Sequence, residues 1–192
     1  IQSYVTPEVS DIVMAGAKHM QMFSIPIMRV RQASPYLEYL FIKRAFDIFG
    51  SLIGIIIASP IMIITAVAIK VYDRGPVLYK QVRLTQGRRE FLILKFRSMC
   101  VDAKKDGVAR LAGKCDNRIT PVGKIIRAVR FDELPQLFNI LRGDMTIVGP
   151  RPERPEIAEQ YEEAIPSFAL RLQTKAGLTG FAQVYGRYNT EP

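Results

Sequence analysis

Between Asp47 and Lys70 the chain carries 22 consecutive residues, Ile48–Ile69, without a charge. An uncharged run of that length is long enough to cross the hydrocarbon of a bilayer as a helix. Any fold must therefore bury it in a core or leave it in lipid. Two features argue against a straight crossing. Ser59-Pro60 falls at the middle of the run, where proline removes a backbone donor, crowds the preceding turn and disfavours helical geometry at the residue before it. Both flanks are also basic, with Lys43 and Arg44 before the run and Lys70, Arg74, Lys80 and Arg83 after it. The charge bias that orients a spanning helix is then absent. A bent helix that enters one leaflet and returns satisfies both observations, with the Ser59 hydroxyl a candidate partner for a carbonyl freed at the bend. A single-span helix is the alternative.

The formal charge of +9 calls for anionic partners: nucleic acid, anionic lipid headgroups or phosphorylated small molecules. Nucleic acid is the weakest of the three, because the chain has no Trp, no RGG or zinc-knuckle pattern and no basic helix that reads as a groove binder. Cys100 and Cys115 are badly spaced for a metal site and too few for a disulfide framework, so reduced thiols are expected. The single histidine, His19, excludes a histidine-based catalytic constellation.

Beyond the apolar run, Pro76–Val82 and Phe91–Phe96 read as two strands joined by a hairpin-like turn at Thr85-Gln86-Gly87. Lys95 and Arg97 alternate, which puts both cations on one face of an extended strand. Residues 102–117 are polar and interrupted by glycine, as in a loop or a broken helix. After Pro121, Val122, Ile125, Ile126 and Val129 recur at helical spacing and mark a buried stripe. Ile157, Tyr161, Ile165, Phe168 and Leu172 form a second stripe, broken near Pro166. Upstream, TPEVSDIVMAGAKHM suggests a short helix and SIPIMRV a strand. Both belong to a segment read as the tail of a preceding module, joined through a linker near Ser34-Pro35. The chain starts at Ile1 without an initiator Met and reads as a piece of a longer protein, short of its C-terminal end.

The densest chemistry lies in FDELPQLFNILRGDMTIVGPRPE, Phe131 to Glu153. Adjacent carboxylates, Asp132 and Glu133, stand at the expected start of a helix, with Pro135 in its first turn and Leu134, Leu137, Phe138 and Leu141 on its apolar face. Gly143 is placed to stop it. Asp132 alone would read as an N-cap, but Arg127, Arg130, Arg142 and Arg151 surround the pair in sequence. Asp144 and Glu153 read as caps or ion-pair partners.

This string closely resembles the bacterial sugar transferase family, the monotopic phosphoglycosyl transferases. The resemblance runs from about Tyr39 to the end of the chain. It takes in KRAFDIFGS, the apolar segment with Ser59-Pro60, GPVLYKQVR, KFRSM, RITPVGKIIR and GLTGFAQVYGR. Departures are modest: Ala176 replaces a usual Pro, Arg130-Phe131 replaces a small polar residue and Leu, and Arg74 stands where Gly is common.

The resemblance implies a mostly helical α+β fold. A re-entrant helix-break-helix hairpin over 36–72, marked by Ser59 and Pro60, would carry a small cytosolic catalytic domain with a short β-hairpin over 73–192. Residues 1–35 would belong to the preceding module. It further implies transfer of a sugar 1-phosphate from a nucleotide sugar, UDP-linked by family habit, to polyprenyl (undecaprenyl) phosphate. That would be the first membrane step of a bacterial glycoconjugate pathway such as exopolysaccharide, capsule or O-antigen.

Asp132 would be the nucleophile, forming a phosphosugar-aspartate, with Glu133 assisting. Both acids would hold Mg²⁺ or another divalent cation, which typically takes one or two carboxylates plus substrate phosphate oxygens. Arg127, Arg151, Lys95, Arg97, Lys43 and Arg44 are the candidate substrate-binding cations. Expected partners are the nucleotide sugar, polyprenyl phosphate and anionic lipids, with a homodimer allowed and nucleic acid excluded. The expected location is the bacterial cytoplasmic membrane, with the catalytic domain on the cytoplasmic face. A non-catalytic scaffold whose basic face binds anionic lipid is the competing reading, although such a face gains nothing from adjacent carboxylates.

Overall fold

A computed structural model describes residues 4–5, 18–22, 25–29, 36–100 and 118–184. The chain divides into two compact units, Ile1–Lys43 and Arg44–Pro192. In the first, β1 (Tyr4–Val5), β2 (Lys18–Met22) and β3 (Ile25–Arg29) form an antiparallel sheet in the order β1-β3-β2. The expected strand around SIPIMRV is β3. Lys18, His19 and Met20, assigned above to the end of a helix, instead pair with β3 as strand β2. Ladder pairing with β3 has overridden a weak local helical pattern there. The remainder of that expected helix lies outside the described residues.

Helix α1 (Leu37–Asp73) contains the whole uncharged run and continues through Pro60 as one helix. Its 37 residues give a length of about 55 Å. A window of mean hydropathy 2.7 makes it long and apolar enough to cross a membrane by length and composition, and only 17% of that window is buried. The bond that Pro60 cannot make to the Ile56 carbonyl is replaced. Ser59 Oγ donates to Ile56 O at 2.8 Å, so the carbonyl keeps a partner.

One narrow face of α1 is buried, along Asp47, Ser51, Ala58, Met62, Thr65 and Ile69, positions that recur at helical spacing. Ala58, Met62 and Ile69 pack with Phe96 and Ile126, flanked by Val77, Val122, Phe131 and Leu134. The opposite side leaves large side chains such as Phe46, Phe49, Ile53, Ile57 and Ile64 exposed. An apolar surface of that extent marks a membrane or partner contact.

The rest of the second unit is small and mixed. β4 (Leu78–Leu84) and β5 (Glu90–Phe96) make the expected antiparallel hairpin in register from Leu78↔Phe96 to Leu84↔Glu90. Their turn holds Gly87 at φ +69. Helix α2 (Pro121–Ala128) forms where the apolar spacing predicts, but only Ile126 of that stripe is buried while Ile125 and Val129 are exposed; Thr120 caps it by accepting from Gly123 N at 2.9 Å. Helix α3 (Gln136–Arg142) ends at Gly143, φ +100, a left-handed stop that glycine adopts without strain. Helix α4 (Pro155–Ala164) gives way at Pro166 to a 3-10 segment, Pro166–Gln173. A short parallel pair, β6 (Thr146–Val148) with β7 (Gly177–Thr179), closes the unit before α5 (Phe181–Val184). Phe91, Ile93, Ile140, Met145 and Ala176 form a second core cluster between hairpin, α3 and this pair.

The result is mostly helical with a small antiparallel hairpin, as expected, but the break expected at Ser59-Pro60 is not seen: α1 runs through it as one helix, the Ser59 hydroxyl taking up the carbonyl that Pro60 leaves free. The polar stretch 101–117 lies outside the described residues.

Candidate active site

The acid pair differs in detail from the expectation. Asp132 and Glu133 occupy a 3-10 turn, Phe131–Glu133, and α3 begins only at Gln136. Neither acid caps α3, whose N-cap position is Pro135 with no side-chain bond. The cause lies upstream. α2 stops at Ala128, and Arg130 takes a left-handed conformation, φ +58, to reverse the chain. The tight i→i+3 bonds of the turn then continue through Leu134 and Pro135, so α-helical bonding starts late.

Both acids are half-buried. Glu133 Oε1 pairs with Lys95 Nζ at 3.0 Å, with about a fifth of each side chain exposed. Burial pushes Glu133 upward, but the Lys95 charge and hydrogen bond, with Arg151 and Arg130, hold it below the ordinary glutamate value. Asp132 is shifted the other way. Burial lifts it above an ordinary aspartate and Glu133 adds to the rise, against Lys95, Arg127 and its own backbone N–H. One acid is thus held firmly ionised beside a second that is harder to ionise.

Glu133 contributes stability above its unfolded pKa that is lost as pH falls through its lower folded value. For Asp132 the favourable term belongs to the protonated form and is lost as pH rises through its raised folded value.

The candidate cations fall into distinct settings. Arg127 is half-buried in the last turn of α2 and acts on Asp132. Arg151, also half-buried, acts on Glu133, and its carbonyl accepts from Arg171 Nη2 at 2.7 Å. A small crevice of about 10 Å³ against Glu133 is lined by Arg83, Ile93, Lys95, Glu133, Gln136, Arg151, Pro152 and Gln183, and Asp132 is not part of its lining. Lys95, Arg151 and Glu133 therefore share one surface.

Arg97 does not join them in that crevice. It is buried and pairs with Asp73 at 2.9 Å, pinning the end of α1. Arg44 donates to the Ile140 and Leu141 carbonyls at 2.7 and 2.8 Å, closing the C-terminus of α3, a position that favours a cation. Lys43 precedes it on α1 and ends the first unit. Ser59 and Pro60 act within α1, as described.

Arg83, Arg171 and Asn139 help organise the site without a sequence signal for that role, while Asp144 and Glu153 find the ion-pair partners their charge suggests. Arg83 donates to Pro152 O at 3.1 Å and lies 3.6 Å from Glu153, which Arg171 also approaches at 3.9 Å. Asp144 pairs with Arg89 at 3.4 Å, so both outlying acids serve as ion-pair partners. Asn139, fully buried, donates to Leu92 O and accepts from Leu94 N, each at 2.9 Å. Its amide extends the β5 ladder and docks α3 against it.

Among the described residues no group of three or more His, Cys, Asp and Glu side chains is placed to hold a metal. The adjacent carboxylates still fit Mg²⁺ in the way that ion usually binds, through one or two acids with substrate phosphate completing the shell. Glu133 already bears a cation, which limits the pair to a ligand set of that open kind.

Residues 38–192 match the family model described as bacterial sugar transferase. The chain belongs to the bacterial sugar transferase family. A relative from Aeromonas hydrophila, described as a UDP-N-acetylgalactosamine-undecaprenyl-phosphate N-acetylgalactosaminephosphotransferase, is 47% identical over 78% of this chain and 35% of its own length. The UDP-glucose:undecaprenyl-phosphate glucose-1-phosphate transferase of Klebsiella pneumoniae is 44% identical over 75% of this chain and 31% of its own. The exopolysaccharide production protein PSS of Rhizobium leguminosarum bv. phaseoli is 42% identical over 77% of this chain and 75% of its own. This bacterial sugar transferase chain therefore spans about a third of the first two relatives and three quarters of the third.

Proposed function

We propose that this chain carries the catalytic part of a phosphoglycosyl transferase that moves a sugar 1-phosphate from a nucleotide sugar to undecaprenyl phosphate at the cytoplasmic membrane. The observation that carries it is the juxtaposition in one small unit of a half-buried acid pair, the cations Lys95, Arg127 and Arg151, and a long helix with one exposed apolar side.

In the proposed reaction the Asp132 carboxylate attacks the β-phosphorus of the donor. The bond from that phosphorus to the bridging oxygen breaks, and nucleoside monophosphate leaves with the electron pair. A phosphate oxygen of the lipid acceptor then attacks the same phosphorus and expels Asp132, giving polyprenyl diphosphate-sugar. A carboxylate approaching a dianionic diphosphate needs positive charge around it. Arg127 and Arg151 supply guanidinium forks that match phosphate oxygens, while Lys95 neutralises Glu133. A divalent cation held by Asp132 and Glu133 would supply further charge neutralisation when bound.

The basic flanks of α1 suit anionic headgroups. We read α1 as bending at Ser59-Pro60 once it lies in lipid, where proline weakens the helix, so that it enters and leaves from the same side with its two ends cytoplasmic. Cysteines introduced at Tyr39 and Tyr72 should then both be labelled by a membrane-impermeant reagent from the cytoplasmic side alone, and labelling from opposite sides would rule out the re-entrant arrangement.

The decisive experiment supplies a panel of labelled nucleotide sugars to the membrane-embedded protein without acceptor. A bound phosphosugar and released nucleoside monophosphate are expected with at least one donor. Strong, salt-sensitive lipid binding with no monophosphate from any donor would favour the scaffold reading instead.

The opposed ionisation of the two acids predicts a pH signature. Asp132 must be ionised to attack, so the acidic limb of the rate profile should lie above the ordinary aspartate value of about 3.9. Lys95→Met removes a charge that favours both carboxylates and should move that limb further up. A limb unmoved by Lys95→Met would dissociate Lys95 from the acid that limits the rate.

A further inference from the structure

We propose that Asp47, on the apolar helix, is a positioning residue for the loop that carries Arg151, with Arg44 one turn earlier bracing the helix behind the acid pair. The proposal rests on the reading of Arg151 as a phosphate ligand.

Asp47 is buried, 4% exposed. Thr146 Oγ1 lies 2.9 and 2.8 Å from its two oxygens and donates to them, and Ile147 N–H donates to Oδ1 at 2.9 Å. A boundary between an apolar helix and a strand needs no carboxylate for adhesion, since apolar side chains of similar volume hold such boundaries as well or better. What the carboxylate adds is direction: it accepts only from donors at fixed places, and here both donors belong to β6.

From β6 the chain reaches Arg151 in three residues, and each is fixed. Gly149 N donates to Thr179 O at 2.9 Å, and Gly177 N donates to Pro150 O at 2.8 Å. A methyl group at Gly177 would collide with the backbone of Gly149, so the crossing tolerates no slack. A displacement of β6 is therefore passed to the Arg151 backbone rather than absorbed. Arg44 holds the Ile140 and Leu141 carbonyls, so one turn of α1 grips the strand that leads to Arg151 and the helix that follows Asp132 and Glu133. Small misplacements of phosphate-holding groups cost rate steeply.

The test compares Asp47→Ala and Asp47→Asn in the wild type and in an Arg151→Lys background, by rate of nucleoside monophosphate release and by hydrogen exchange of the membrane-embedded protein. Asp47→Ala should slow release roughly tenfold or more in the wild type but less than about twofold beside Arg151→Lys, because residues acting through one group are not additive. Asp47→Asn, which retains an acceptor for Ile147 N–H, should recover most of the rate. Amides of 146–151 should exchange faster in Asp47→Ala while those of β4 and β5 do not change.

Equal fold-losses in the two backgrounds, or faster exchange throughout, would reduce Asp47 to general stabilisation and overturn the proposal. If the wild type releases no monophosphate from any donor, the proposed reaction itself fails. The placement of the Arg151 loop by Asp47 is then judged on exchange alone, local acceleration upholding it and uniform or absent acceleration refuting it.

Discussion

Asp132→Asn is expected to reduce nucleoside monophosphate release by roughly a thousandfold or more, the scale on which loss of a covalent nucleophile is felt. The substitution keeps shape and volume while removing the attacking charge, and the group sits half-buried with Lys95 and Arg127 acting on it. Membrane association should not change, since α1 and its exposed apolar side chains are untouched. The phosphosugar that the wild type holds in the absence of acceptor should vanish. Stability should hold or rise at neutral pH, because ionising a carboxylate whose folded pKa is raised works against folding. Full turnover in Asp132→Asn would remove this residue from the chemistry and leave Glu133 as the acid to examine.

Asn139→Ala should produce the largest loss of stability among single changes near the site. The amide is fully buried and satisfies both the Leu92 carbonyl and the Leu94 N–H. Truncation strands both groups in a closed interior and opens a small cavity, a combination that costs about 2–4 kcal/mol. For a unit of this size that corresponds to a melting temperature lower by roughly 5–15 °C, readable by thermal denaturation in detergent. A melting temperature within a degree of the wild type would mean that α3 is held by its apolar contacts alone. Because α3 follows the acid pair directly, activity measured well below the melt should also fall, by less than in Asp132→Asn.

What the sequence made legible was what repeats or stands adjacent. Apolar spacing located α2, α3 and the hairpin, and the uncharged run with its proline located α1. The resemblance of the Phe131–Glu153 segment to a known family points to the acid pair. What it hid depends on partners far along the chain. Asp47 meets Thr146 across 99 residues and Asn139 meets Leu92 across 47, and no local pattern encodes such encounters. β6 and β7 have three residues each, too few for a period to appear. Arg44 illustrates the opposite error: a cation beside an apolar run looks like a phosphate ligand, yet its guanidinium closes a helix. Arg97 looks like a partner of Lys95 on one strand face, yet it is buried against Asp73. Pro135 suits a helix's first turn and so points to the acid pair as that helix's start, but the left-handed turn at Arg130 shifts the register of bonding beyond it.

The narrow packing face of α1 has a consequence for the order of events during synthesis. Its residues are made before the surfaces that cover that face, which run from Phe96 of β5 through α2 and the turn at Phe131 to β6, and the strand that locks β6 in place, β7, begins at Gly177. The ribosome must add roughly a hundred residues after α1 before that last piece exists, on the order of 5–20 seconds at bacterial rates. For that interval the buried face of the helix lacks its full cover. On the proposed reading the catalytic unit is assembled onto a helix already lying in lipid, so the membrane acts as its first folding partner.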